Sequence, residues 1–95
     1  QTIAVPSEFS LSQNYPNPFN PSTKISYRLP GNSFVKLTLF DITGKEIALL
    51  VNETKSAGTY EYDLSLEEYS LSSGVYFYRL EAGEFTAVNK MILLK

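Results

Sequence analysis

From Lys24 the chain alternates: Ile25, Tyr27 and Leu29 are apolar, and Lys24, Ser26 and Arg28 beside them are polar. A period of two places the first set on one side of an extended chain and the second on the other, so this stretch predicts a half-buried strand. Pro30 to Ser33, "PGNS", is turn chemistry. Beyond it Val35, Leu37 and Leu39 resume the alternation against Lys36 and Thr38, and a hairpin is expected to join the two strands. "DITGK", Asp41 to Lys45, predicts a tight turn with Gly44 at positive φ, followed by a short apolar strand, "EIALLV". A helix over Glu46 to Asn52 is the weaker reading, because so short a segment without an N-cap is marginal in water.

Two later segments echo one another. "GTYEYDL" from Gly58 and "GVYFYRL" from Gly74 share the frame Gly-x-Tyr-x-Tyr-x-Leu, and each sets two tyrosines and a leucine on one face. A glycine turn leading into an aromatic strand is an ordinary way to build a sandwich, and that reading outweighs a duplication, whose period would be short for most repeat architectures. "SLEEYSLSS" reads as a polar loop, "EAGE" as a turn, and "FTAVNKMILLK" as a final strand. With an opening segment "EFSLSQ", this makes about seven short strands. The fold class is all-β, an immunoglobulin-like antiparallel β-sandwich.

Between the first two strands lies "QNYPNPFNPST", Gln13 to Thr23, with three prolines and three asparagines in eleven positions. Each proline removes a backbone donor and keeps Tyr15, Asn17 or Asn20 out of the α region, so the segment is stiff and cannot be a central strand. "PFNP" has the PxxP spacing that SH3-type domains read, but no basic residue closely precedes it and the asparagines favour turns. The expectation is a rigid crossover from a first edge strand to the strand beginning near Thr23, with Tyr15 and Phe19 available to pack and the asparagine side chains closing turns.

Composition narrows the function. A chain of 95 residues with 43% hydrophobic content, seven Tyr and six Phe supports one β-rich domain with a real core. Ten acids and eight bases are spread without a block of either sign, so no electrostatic footprint for nucleic acid is present. The longest wholly apolar run, Ile47 to Val51, is far short of the ~20 residues a membrane-spanning helix needs, and Met91 to Leu94 is shorter still. Without His or Cys there is no imidazole-based triad, no thiolate or imidazole zinc site and no disulfide. The carboxylates of Asp41, Glu61, Asp63, Glu67 and Glu68 read as solvated surface acids, since nothing in the sequence pairs them with a buried acid partner. The glycines are too dispersed to cradle a phosphate, and no loop has the acidic spacing of a calcium site. No cofactor and no catalysis are expected. Asn52-Glu53-Thr54 is a formal glycosylation sequon, relevant only in a eukaryotic secretory pathway. The chain opens on Gln1 with no signal-like segment, which predicts a piece of a longer protein with any export signal upstream.

The order "FSLSQNYPNPFNPSTKISYRLP", "VKLTLFDITGKEIALLV", "AGTY" and "SSGVYFYRLEAGEFTAVNKMILLK" closely resembles the type A C-terminal sorting domains of the bacterial type IX secretion system, from about Glu8 to Lys95. The resemblance implies an address label recognised by outer-membrane secretion machinery, joined to an upstream cargo domain in the same chain and removed by a sortase-like peptidase. It further implies secretion to the cell surface or beyond through the periplasm of a Gram-negative-type bacterium, and residues 1–7, including Val5-Pro6, as a linker preceding a domain of residues 8–95. A monomer is expected. The family's recurrent positions fall on Pro16, Asn17 and Pro18, on Gly44, on Gly74 and Tyr76, and on Lys90 and Lys95, the candidate positions for translocon recognition. Gly44, Gly74 and Tyr76 also have a purely structural reading, and Lys90 one as an edge-strand guard. Where members commonly carry a tryptophan before an aspartate, this chain has Tyr62 before Asp63. The competing class is an immunoglobulin-like spacer or interaction module of an extracellular hydrolase or surface protein.

Overall fold

The computed structural model describes residues 6–95, apart from the side chain of Glu68. Its strands are β1 (Ser10–Leu11), β2 (Ser22–Leu29), β3 (Ser33–Phe40), β4 (Glu46–Lys55), β5 (Gly58–Ser65), β6 (Gly74–Ala82) and β7 (Phe85–Leu93), with a 3₁₀ turn at Glu67–Tyr69. They form two antiparallel sheets, one in the order β1-β2-β5 and the other β4-β3-β6-β7. The all-β sandwich of seven strands is therefore as the alternation requires. The expected linker lies outside the described residues over its first five positions.

The predicted faces are the buried ones. Ile25, Tyr27 and Leu29 from one sheet meet Val35, Leu37, Leu39, Tyr78, Leu80, Met91 and Leu93 from the other, all nearly inaccessible to water. One such layer between two half-buried sheets is the source of the domain's stability, at about 1.5–3 kcal/mol for each fully buried large apolar side chain.

Several local readings are corrected. β2 and β3 do not form a hairpin: β2 pairs with β1 and β5, whereas β3 pairs with β4 and β6. Pro30 to Asn32 therefore carries the chain from one sheet to the other. Alternation says which face of a strand is buried but not which neighbour it bonds, so a local pattern cannot distinguish a hairpin from a crossover. The strand after Gly44 runs on to Lys55, well beyond Val51, because the outer positions of an edge strand can be polar without cost. The opening strand shrinks to Ser10–Leu11. The loop after β5 contributes Leu66 to the core, at 1% exposure, with Tyr69 and Leu71 packed beside it.

The echo between the two tyrosine strands resolves into a repeated corner. Tyr60 donates its hydroxyl to the Ser56 carbonyl at 2.6 Å, and Tyr76 donates to the Ser72 carbonyl at 2.7 Å. The shared frame thus extends upstream to Ser-x-Gly-x-Tyr, with each tyrosine tying the strand entrance back four residues, as in a tyrosine corner. Because the two copies start strands in different sheets, the same device fixes both entrances.

Candidate functional site

The proline segment passes along the open side of the sandwich and stitches its two sheets. It leaves β1 with the Ser12 N–H donating to the Ser26 carbonyl, and Tyr15 exchanges both backbone bonds with Lys24 at 3.0 Å. It then crosses to β7, where the Phe19 N–H donates to the Ile92 carbonyl at 3.0 Å and the Leu94 N–H donates to the Phe19 carbonyl at 2.9 Å. The Phe19 ring, 2% exposed, is a core residue. Tyr15, expected to pack, is 82% exposed instead.

Side chains complete the clamp. Asn17 Oδ1 accepts from the Ile92 N–H at 2.9 Å, and Gln13 Nε2 donates to the Lys90 carbonyl at 2.6 Å. Asn14 is buried and donates to the Pro16 carbonyl and to Thr23 Oγ1, while that hydroxyl also donates to Pro16. Asn89 Nδ2 and Tyr78 Oη both donate to the Ser12 carbonyl, fixing the segment's start to the core. Burial raises the pKa of the Tyr78 phenol, so this donor stays protonated at neutral pH. The asparagines therefore do more than close turns: Asn17 reaches across to the other sheet.

This arrangement closes much of the free edge of β7. The strand does end its sheet, but its outer backbone edge from Lys90 to Leu94 is already occupied by Gln13, Asn17 and Phe19. That stretch cannot pair with an incoming strand while the clamp is in place. The Lys90 side chain remains exposed.

The turn between β3 and β4 is organised by Asp41, whose Oδ1 accepts from Thr43 N–H, Thr43 Oγ1 and Lys45 N–H at 2.6–3.0 Å. The Thr43 hydroxyl bond, then the Lys45 backbone bond, holds the carboxyl below its usual pKa. Gly44 has φ +88°, a left-handed conformation that an L side chain resists.

The eight candidate residues, scattered through the sequence, come to one end of the sandwich. Gly74 pairs with Leu93 and Tyr76 with Met91, Phe19 is bridged to Leu93, and Lys90 sits opposite Phe77 on the same hairpin. Phe77 is in turn opposite Phe40, at the end of β3, and a polar cleft lined by Asp41, Lys45, Ser72 and Tyr76 connects the Gly44 turn to the start of β6. The Lys95 N–H donates to Ser73 Oγ at 2.8 Å, which holds the terminus beside Gly74. Pro16, Asn17, Pro18, Lys90 and Lys95 are exposed there, whereas Tyr76 is buried. The sequence reading missed Gln13, Asn14 and Ser73, which tie this end together: Gln13 bonds to the Lys90 carbonyl 77 positions away, Asn14 to Thr23 and Ser73 to Lys95, and a polar side chain's type alone does not name its partner.

Among the described residues no cluster of His, Cys, Asp and Glu that could hold a metal ion is present, and no helix is long and apolar enough to cross a membrane. The family model described as the secretion system C-terminal sorting domain matches residues 13–94. That span takes in the clamp, both tyrosine corners and the terminal hairpin. The chain belongs to that family of sorting domains. It is the family that the proline motif, the "SGVY" strand and the terminal "NKMILLK" resemble. Membership ties this domain to secretion.

No curated protein matches the chain. Among solved structures it is similar to one reported for PorZ, an essential bacterial surface component of the type-IX secretion system of Porphyromonas gingivalis, with a TM-score of 0.57 and 15% identity. The match covers 92% of this chain but only 11% of that one, and at this identity it establishes the fold alone.

Proposed function

We propose that the domain directs an upstream cargo through the type IX secretion system across the outer membrane, to the cell surface or the medium by way of the periplasm, and is then cut off by a sortase-like peptidase. The observation that carries the reading is the family match over residues 13–94, which includes the clamp and the terminal hairpin as one folded unit. In this reading residues 1–7 are the linker in which the cut falls and residues 8–95 the monomeric label. The end of the sandwich described above is the surface met by the machinery. Lys90 and Lys95 offer exposed positive charge there, and Pro16, Asn17 and Pro18 form its rigid rim. Gly44, Gly74 and Tyr76 hold its shape.

The test is a secreted reporter carrying this domain at its C-terminus, expressed with a periplasmic signal peptide in a type IX-competent host and in one lacking the system. Export is expected only in the first. Reporter retained in the periplasm of both would refute the reading and return the domain to the role of a spacer. The Lys90→Ala fusion then probes the surface. An exposed lysine truncation changes stability by no more than about 0.5 kcal/mol, so the variant should melt like the parent. Periplasmic accumulation of that fusion places Lys90 in the address, and normal export removes it.

A further inference from the structure

Every sheet edge of an open sandwich is a template for another strand, and this domain treats its edges differently. β7 is clamped from Lys90 to Leu94 by the proline segment, and its first half has β1 alongside, with the Phe9 and Phe85 rings stacked 5.1 Å apart. β1 itself is only two residues long. β4 is broken by two register shifts against β3, which leave Ile47 and Leu50 unpaired and confine regular pairing to the five residues from Val51 to Lys55. Bulges of this kind twist an edge away from regular pairing.

β5 has none of these devices. Its eight residues pair with β2 without a register shift, it contains no proline, and it ends its sheet among the described residues. The phase of its hydrogen bonds follows from the Leu66 N–H, which donates to the Pro21 carbonyl. Even-numbered residues of β5 therefore bond to β2, and the backbone groups of Thr59, Glu61 and Asp63 point away from it. The strand is also held rigid. Tyr60 stacks on Tyr27 at 5.4 Å, lies under Lys55 Nζ at 4.8 Å and is tied to the Ser56 carbonyl.

We propose that the β5 edge is a docking site for an extended segment of another polypeptide that carries Lys or Arg at alternate positions. The partner adds as a fourth strand beyond β5, its main chain bonding to Thr59, Glu61 and Asp63. The charge pattern selects the occupant. On the outward face Lys24 lies one strand in, 3.3 Å from Glu61 and 3.7 Å from Asp63, so two exposed carboxylates at the very edge share one ammonium. Directly opposed side chains on a sheet face attract when opposite and repel when like, so basic residues across from Glu61 and Asp63 complete the pattern. A second copy of this chain is disfavoured, because pairing β5 with itself sets carboxylate against carboxylate. This site lies on a different edge from the end described above and does not depend on the sorting role.

The experiment uses the isotope-labelled 95-residue chain and a capped synthetic peptide of sequence Thr-Lys-Val-Lys-Val-Thr. The expected result is chemical-shift change and slowed amide exchange centred on Thr59, Glu61 and Asp63. Reversing both charges (Glu61→Lys with Asp63→Lys) weakens the lysine peptide by about tenfold or more and makes the matching glutamate peptide the better ligand, since two cross-strand pairs change sign. The isosteric Glu61→Gln, Asp63→Asn variant guards against a folding defect and gives an intermediate loss. A peptide N-methylated along one edge tests the main-chain bonds and should lose binding. Equal binding by the methylated peptide, protection at Lys90–Leu94 or at β4 instead of β5, or no binding at millimolar peptide each overturns the proposal.

Discussion

The clamp makes a prediction that separates its two attachments to β7. Phe19→Ala removes a ring that is 2% exposed while leaving the Phe19 backbone bonds to Ile92 and Leu94 in place. Emptying a buried phenylalanine site costs about 3–5 kcal/mol, the loss of transfer energy adding to that of the cavity left behind. Asn17→Ala removes a single exposed bond to the Ile92 N–H and should cost about 1 kcal/mol. A domain of this size has only about 5–14 kcal/mol in all, so the first change takes a large share of its stability and the second a small one. At about 4–8 °C per kcal/mol, the melting temperature should fall by at least ~12 °C for Phe19→Ala and by less than ~8 °C for Asn17→Ala. Urea unfolding followed by tyrosine fluorescence and near-UV circular dichroism reads both, with unchanged m-values showing that the same surface unfolds. Equal losses, or a larger loss for Asn17→Ala, would show that surface bonds and not the core hold the segment to β7.

Gly44→Ala should destabilise by about 1–2 kcal/mol through its left-handed backbone alone, since an added Cβ there meets nothing within 4 Å; a neutral effect in thermal melts would contradict the observed turn. Tyr76→Phe should cost about 1 kcal/mol by deleting the corner bond to Ser72, and Tyr60→Phe less because its bond to Ser56 is exposed; the reverse order in chemical denaturation would refute the assignment. In alkali, burial, then Tyr60 and Glu53, pushes the Tyr27 phenol up from 10.0 to about 12, so the folded state keeps a proton that the unfolded chain gives up first. Stability from this group is complete below pH about 10 and is lost as pH rises toward about 12. Melting temperature against pH, with tyrosinate absorbance as the second probe, should show that decline, and a Tyr27→Phe variant should lessen it.

Period-two alternation was enough to place Ile25, Tyr27, Leu29, Val35, Leu37 and Leu39 in the core, because in a strand the covalent geometry alone decides which side each residue takes. Turn chemistry located Gly44 for a similarly local reason, and the repeated Gly-x-Tyr frame marked two strand entrances before their serine partners were visible. The stiffness of the proline segment was also legible, since proline acts on its own φ and on the residue before it. Strand partners were not. β2 and β3 look like a hairpin in sequence, and only the packing of whole sheets sends them to opposite layers. Nor did Phe19, Gln13 or Asn17 reveal that they close the edge of β7, because those bonds join residues more than 70 positions apart. A side chain's type and spacing fix what it can bond. What it does bond is decided when the second sheet arrives, which is why eight positions spread over the chain form one end of the domain.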